Sequence, residues 1–372
     1  MKKAILISCF DWYSKRLEAI KDTLEEYDYK VEIYTSDFSH ISKEYLDKKN
    51  NYCSYIHVHK YTKNISFDRL KSHYLFSKCI YKALCKSNPD LIYGLIPPNS
   101  ISKFCSKYKK KHPDCKLIYD VIDLWPESMP ISKYRWFKPL KIWKNMRDNS
   151  IKLCDYLVTE CNYYLKSLKK YDCKHKTLYL YKKDDISELN FNVKKENKNN
   201  IVLGYVGSIN NILDIETIIN ISNQIKERYN LMLKIIGVGE SKDILLKQLA
   251  DNDIKYEYYG PIFYETEKRK ILQECDFGLN LMKSTVNVGL TIKSIDYFSY
   301  GLPIINNIKG DTFDLVKNEN IGINVMLNGI SFDDLTRLMN DKLIHQKVYS
   351  VFKNNFTRDK FIQNFKEILN TL

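Results

Sequence analysis

Short apolar runs alternate with amphipathic stretches through the first half of the chain. AILIS (4–8) reads as a buried strand, SKRLEAIKDTLEEY (14–27) as a helix with one apolar stripe, and KVEIYTS (30–36) as a second strand. FDRLKSHYLFSKCIYKALCKS (67–87) has helical spacing and is followed by PDLIYGLI (89–96), SISKFCSKYKKKH (100–112) and KLIYDVI (116–122), again strand, helix, strand. This alternation predicts a mostly parallel sheet with helices on both faces. A polar segment, 182–200, interrupts it. The pattern restarts with IVLGYVGS (201–208), a helix over 214–227, LMLKIIGVG (231–239), a helix near 241–250, IKYEYYG (254–260), a helix near 265–274 and DFGLNLM (276–282). The expected fold class is therefore α/β with two Rossmann-like domains, 1–189 and 190–355. The segment 356–372 forms an amphipathic helix whose periodicity leaves its docking partner open, the first domain included.

Composition narrows the class. With 372 residues, 44% hydrophobic and 28% charged, the chain has material for two cores and is not disordered in character. The N-terminal apolar run is short and is followed at once by Asp11 and further charges, and no run approaches membrane-spanning length. A cytoplasmic protein is expected. Ten cysteines without a CxxC pair suit free thiols in a reducing compartment rather than a disulfide framework or a zinc site.

Charge divides the chain. Residues 1–183 hold 36 Lys and Arg against 20 Asp and Glu, a net +16, whereas the remainder holds 23 against 25, a net −2. The first half therefore calls for an anionic partner: a nucleic acid, a phosphorylated acceptor or a membrane. No zinc finger, aromatic RNA-binding motif or helix-turn-helix accompanies the charge, so nucleic acid is not expected. KYRWFKPLKIWKNMR (133–147) interleaves six basic residues with Trp136, Phe137, Leu140, Ile142, Trp143 and Met146. Such a surface suits an anionic bilayer interface; a helix with one buried side and a solvated basic face is the alternative.

Candidate chemistry in the second half concentrates at strand ends. Gly207 with Ser208, and Gly237 one unit later, follow strands where backbone can approach a ligand closely, although ordinary turns use glycine too. In NVGLTIKSIDYFSYGLPIINN (287–307), Gly289 and Leu290 form a turn after a strand and a helix begins near Thr291. The first-turn N–H groups attract phosphate, and Lys293 adds a point charge. Asp296, one turn on, can accept from the two hydroxyls of a ribose. The same spacing also fits an i,i+3 surface ion pair between Lys293 and Asp296, and spacing alone leaves both readings open.

GLTIKSIDYFSYGLPII resembles the donor-binding segment of retaining GT-B glycosyltransferases, the group usually numbered family four. The resemblance implies two domains facing across a cleft, Lys293 on a diphosphate, Asp296 on the ribose, and Gly301 with Pro303 turning into the next strand. Many members carry two glutamates with seven residues between them, the first touching the transferred sugar and the second the ribose; counted back from Asp296 the first place is Val288 here, so the polar sugar contact is either missing or supplied by backbone near Gly289 and Leu290. LIYDVIDLWPESMP (117–130) resembles the D-x-H-D-L-W-P-E-S segment of members acting in bacterial capsule, O-antigen and exopolysaccharide synthesis, with Ile122 at the histidine place.

Asp123 and Glu127, just past a strand's carboxyl end, are the first-domain catalytic candidates beside Lys293 in the second. Either carboxylate could accept from an attacking hydroxyl, orient an acceptor or hold a basic neighbour, and Glu127 could equally cap a helix. Asp11, Tyr13 and Ser14, and Pro97 to Asn99, are further cleft candidates. The implied function is transfer of a sugar, in the hexosyltransferase class, from a nucleotide sugar, expected to be UDP-linked, to a polyprenyl-diphosphate-linked saccharide. It would act at the inner face of the cytoplasmic membrane, with no cofactor and no divalent metal. A nucleotide-sugar epimerase and a noncatalytic carbohydrate-binding or scaffold protein are the alternatives.

Overall fold

The apolar runs become the strands of two parallel sheets. The computed structural model describes residues 1–47, 50–64, 66–129, 138–168, 172–183, 199–326 and 329–372. The expected boundary near residue 190 and residues 133–137 of the basic aromatic segment lie outside them. Met1–Leu180 with Phe361–Leu372 form one compact unit and Tyr181–Lys360 the other.

The first unit contains β1 (Lys2–Ile7), α1 (Ser14–Glu26), β2 (Tyr29–Ser36), β3 (Cys53–Ile56), α2 (Phe67–Ser87), β4 (Leu91–Ile96), α3 (Asn99–Lys109), β5 (Lys116–Val121), α4 (Lys138–Ile151), β6 (Tyr156–Thr159), α5 (Asn162–Leu168) and β7 (Lys174–Thr177). Its sheet runs β3-β2-β1-β4-β5-β6-β7, every pairing parallel. Ala4 to Ile7 are fully buried, as both-face coverage of a central parallel strand requires. The polar strand KHKT of β7 sits at the sheet edge, where one side needs no apolar cover.

The second unit contains β8 (Asn200–Val206), α6 (Ile215–Lys226), β9 (Asn230–Ile236), α7 (Lys242–Asp251), β10 (Lys255–Gly260), α8 (Glu265–Gln273), β11 (Phe277–Asn280), α9 (Ile292–Ser299), β12 (Ile304–Asn306), α10 (Asp311–Glu319), β13 (Gly322–Asn324), α11 (Phe332–Asn340) and α12 (Ile344–Asn355). Its sheet runs β10-β9-β8-β11-β12-β13, again all parallel. Asp214 opens α6 by accepting from Thr217 N–H at 3.1 Å, and Ile218, Ile219, Ile221 and Ile225 line its buried stripe.

The last helix, α13 (Arg358–Leu369), packs on the first unit from Phe361 onward. Phe365 meets Tyr93 edge to face at 5.7 Å, and Phe361 lies 5.0 Å from the Arg16 guanidinium. Lys366 pairs with Glu26 at 2.6 Å and Lys176 pairs with Glu367. The apolar pairs carry this docking, because exposed ion pairs contribute only about 0–1 kcal/mol each.

Candidate functional site

In the second unit, strand order reverses between β8 and β11, and open parallel sheets bind ligands at the carboxyl ends of such strands. Gly207 and Ser208 follow β8 there, and the loop after β11 delivers α9. Gly207 has φ of 133°, and a Cβ on it would lie 3.0 Å from Cδ of Lys293. Absence of a side chain is what lets the lysine lie against this turn. At Gly237, with φ of 150°, a Cβ would fall 1.9 Å from the Gly207 carbonyl oxygen, so this glycine admits the neighbouring loop. Ser208 is exposed, and its carbonyl accepts from the Tyr205 hydroxyl at 2.7 Å.

The start of α9 is held from behind. Thr291 caps it, Oγ1 accepting from Ser294 N–H at 3.1 Å, and that hydroxyl donates to Asn280 Oδ1 at 2.9 Å. Asn280 Nδ2 donates to Asn306 Oδ1 at 2.9 Å, and Asn306 Nδ2 to Asn324 Oδ1 at 2.8 Å. These three asparagines end β11, β12 and β13 in register, so a repeated asparagine at strand ends is the sequence signal for this support. The Gly289 carbonyl accepts from Thr312 N–H at 2.9 Å, while Leu290 is buried. The helix entry is therefore fixed, and the N–H groups of Ile292 and Lys293 have no acceptor within the helix.

Lys293 turns toward β8. Its Nζ lies 3.4 Å from the Tyr205 hydroxyl and 4.9 Å from that ring's centre. Among the described residues it makes no ion pair, and burial alone lowers its pKa to about 8. Asp296 turns the other way and accepts from Lys182 Nζ at 2.8 Å, leaving Oδ2 without a partner among the described residues. The i,i+3 pair that spacing allowed is thus not formed. Lys182 also pairs with Glu265, donates to the Tyr300 hydroxyl at 3.1 Å and lies 4.4 Å from that ring. Burial would raise the Glu265 carboxyl, but Lys182, Lys268 and the Tyr300 hydroxyl hold it down at about 2. Lys182 and Glu265, 114 and 31 positions from Asp296, carried no local sequence signal.

In the first unit the reversal lies between β1 and β4. Phe10 and Trp12 stack at 4.6 Å after β1, and Asp11 Oδ1 is buried without a hydrogen bond among the described residues. Beyond β4, Asn99 Nδ2 donates to the carbonyls of Trp125 at 3.1 Å and Trp143 at 3.0 Å, tying the DLWPES loop to α4. Asp123 accepts from Trp125 Nε1 at 2.5 Å and from the Ser128 hydroxyl; burial raises its pKa, against these hydrogen bonds. Glu127 takes both guanidinium nitrogens of Arg147, at 3.0 and 2.9 Å, and Lys144 at 2.8 Å. Burial would raise its carboxyl, but these cations lower it overall. Asp120, which matches the same motif, is wholly buried on Arg16 at 2.6 and 3.0 Å and the Tyr93 hydroxyl at 2.7 Å.

The basic aromatic segment needs one correction. Arg147 does not belong to an exposed basic face: its side chain is 1% exposed and bound to Glu127 and Asp148. Lys138, Lys141 and Ile142 are exposed, with Ile142 at 65%. No helix of the described residues is long and apolar enough to cross a membrane, and no group of three or more His, Cys, Asp or Glu among them is placed to hold a metal ion.

No protein-family profile matches the chain. The chitobiosyldiphosphodolichol beta-mannosyltransferase of Candida glabrata is 25% identical over 115 residues, 31% of this chain and 26% of that enzyme. The match thus spans about a quarter of the curated relative's length. Solved structures align over the full chain, three of them as follows. Sucrose-phosphate synthase from Thermosynechococcus elongatus has a TM-score of 0.70 at 10% identity, with 98% of it covered. HepE from Anabaena in complex with UDP scores 0.67 at 13% identity, and the lipopolysaccharide outer core galactosyltransferase WaaB scores 0.67 at 14%, each with 100% covered. Two parallel Rossmann-like sheets in this order, matched end to end by these proteins, give the chain the GT-B fold.

Proposed function

We propose that the protein is a retaining, nucleotide-sugar-dependent glycosyltransferase of the family-four type, with a UDP-linked hexose as donor. The observation that carries this reading is Lys293: a largely buried ammonium with no carboxylate partner among the described residues, at a fixed helix N-terminus, at the reversal point of a parallel sheet. A desolvated cation in such a place lacks an anion, and a nucleoside diphosphate supplies one. Lys293 and the first-turn N–H groups would bind the diphosphate and stabilise the charge developing on it as the glycosidic bond breaks. Asp296, steadied by Lys182, would take a ribose hydroxyl on Oδ2. Gly207, Ser208 and Gly289 to Thr291 would supply backbone around the donor. The UDP held by the Anabaena protein of the same fold supports the choice of nucleotide.

The first unit is assigned the acceptor, a polyprenyl-diphosphate-linked saccharide of bacterial surface polysaccharide synthesis, reached at the inner face of the cytoplasmic membrane through the basic segment 133–147. Its net positive charge supports that assignment. Asp123 is the better nominee to receive the acceptor hydroxyl's proton, since the pKa that burial raises makes its carboxylate the stronger base. Glu127, occupied by Arg147 and Lys144, orients the loop.

Calorimetry of the full chain with UDP and with uridine tests the donor site. UDP is expected to bind at least about tenfold more tightly, because a buried charge pair is worth 2–5 kcal/mol or more when one partner is missing. Equal binding of the two would reject the diphosphate role. Because Lys293 and the helix terminus already neutralise the leaving group, transfer is expected to persist in excess EDTA; loss with rescue by magnesium or manganese would contradict this.

A further inference from the structure

A cavity of about 450 Å³ opens in the first unit between the first turns of α2 and α4. Its wall is mostly apolar among the described residues, with Trp125, Met129 and Trp143 inside and Phe67, Leu70 and Ile142 at the rim, 90%, 43% and 65% exposed. Of the polar side chains that line it, His73 and Arg69 are buried. His73 is 3% exposed, and neither ring nitrogen has a hydrogen-bond partner among the described residues. Arg69 is 6% exposed; it donates to the Asn64 carbonyl at 2.6 Å and lies 4.5 Å from the Trp125 ring, while its Nε is unpartnered. Lys43 donates to the same Asn64 through its side chain and stands 5.3 Å from the Tyr61 ring.

Neither cation has an ion-paired carboxylate among the described residues. Asp123 acts on Arg69 only at a distance, and burial lowers the pKa of both cations, with Arg69 pushing Lys43 further down. His40, between them, is held neutral by burial and these two charges. A buried guanidinium without a counter-ion, and a buried imidazole with both nitrogens unsatisfied, are costly unless a ligand completes them; half-buried Lys43 adds a second charge nearby. Beside them lies a cavity whose lining among the described residues is mostly apolar and whose size suits a small ligand. The two features together describe an amphiphile: an anionic head and an apolar tail.

We infer that this cavity binds the lipid carrier of the acceptor, an isoprenoid diphosphate whose head lies on Arg69, Lys43 and His73 and whose first isoprenyl units fill the space between α2 and α4. The inference rests on the reading that the first unit takes a lipid-linked acceptor, and deepens it by naming where the carrier sits. Ile142 and Phe67, exposed at the rim, would continue the apolar path outward along the chain. Arg147, by contrast, is committed to Glu127 and Asp148 and takes no part.

Calorimetry of the full chain with farnesyl diphosphate, inorganic pyrophosphate and farnesol is the test. Farnesyl diphosphate should bind at least about tenfold more tightly than either part alone, since head and tail contribute separately. Arg69→Met should weaken it about tenfold or more and leave farnesol unchanged, whereas Ile142→Asp should weaken it and leave pyrophosphate unchanged. Lys43→Met, at a more exposed site, repeats the head-group test should Arg69→Met fail to fold. Farnesyl diphosphate binding no tighter than pyrophosphate, or unmoved in all three variants, would overturn the assignment. An Ile142→Asp effect confined to sedimentation with phosphatidylglycerol vesicles would also overturn it, in favour of bilayer docking. UDP titrated into the same preparations reads the donor site separately. UDP binding without farnesyl diphosphate binding sinks the carrier cavity alone, and the converse supports the cavity while counting against the transferase reading.

Discussion

Replacing Lys293 by methionine is expected to slow sugar transfer by about 10²–10³-fold, the usual cost of removing one preorganised charge stabiliser from a transition state. The same substitution is expected to stabilise the unliganded protein. Burial lowers the lysine from 10.5 to about 8, a difference of about 3 kcal/mol as an upper bound. The folded pKa lies below the unfolded one, so between pH 8 and 10.5 the unfolded chain binds the extra proton. Wild-type stability should therefore rise with pH across that window, with the full penalty present below pH 8. Lys293→Met should remove this slope. UDP affinity should move oppositely, being full below pH 8 and falling above it as Lys293 loses its proton. Urea denaturation at pH 7 and pH 10 and calorimetry across the same range read both trends. A variant with unchanged turnover and the wild-type pH slope would remove Lys293 from the account.

Asp120→Ala is expected to cost about 3–5 kcal/mol of stability, the usual result of stranding one member of a buried ion pair. Asp120 is 0% exposed and Arg16 2%, and Arg16 joins α1, β5 and the Leu178 carbonyl, which it reaches at 2.9 Å. Removal would leave that guanidinium in the core facing carbonyls and the Phe361 ring, and would orphan the Tyr93 hydroxyl. The loss should appear in urea denaturation of the first unit, while UDP binding by protein that remains folded stays near wild type. A stable Asp120→Ala protein with lost transfer would instead make Asp120 part of the chemistry.

Asp120, Asp123 and Glu127 stand within eight residues in one motif and do three different things: one locks the core, one faces a tryptophan and a serine, one clamps an arginine and a lysine. Sequence order fixes their proximity but not their partners, because Arg16 is 104 positions from Asp120 and Arg147 is 20 from Glu127. The α/β alternation is legible because parallel strands buried on both faces read as apolar runs, as Ala4–Ile7 of β1 and all of β4 do. β7 is not, since a polar edge strand such as KHKT lacks that signature. On α9 the period of the helix placed Lys293 and Asp296 on one side, yet their side chains diverge toward Tyr205 and Lys182. That divergence depends on elements brought from far along the chain. Arg69, Lys43 and His73 carry no local sequence signal for the same reason: whether such a group is paired depends on elements brought from far along the chain.

The proposed activity moves a sugar from a nucleotide to an acceptor. Its most direct test is to incubate the purified full chain with a panel of nucleotide sugars and extracted lipid-linked saccharides, following products by mass spectrometry and the new linkage by NMR. The account predicts release of UDP with stoichiometric extension of one lipid-linked saccharide and retention of the donor's anomeric configuration. A folded protein that releases no nucleotide diphosphate from any donor, or forms an inverted linkage, would contradict it.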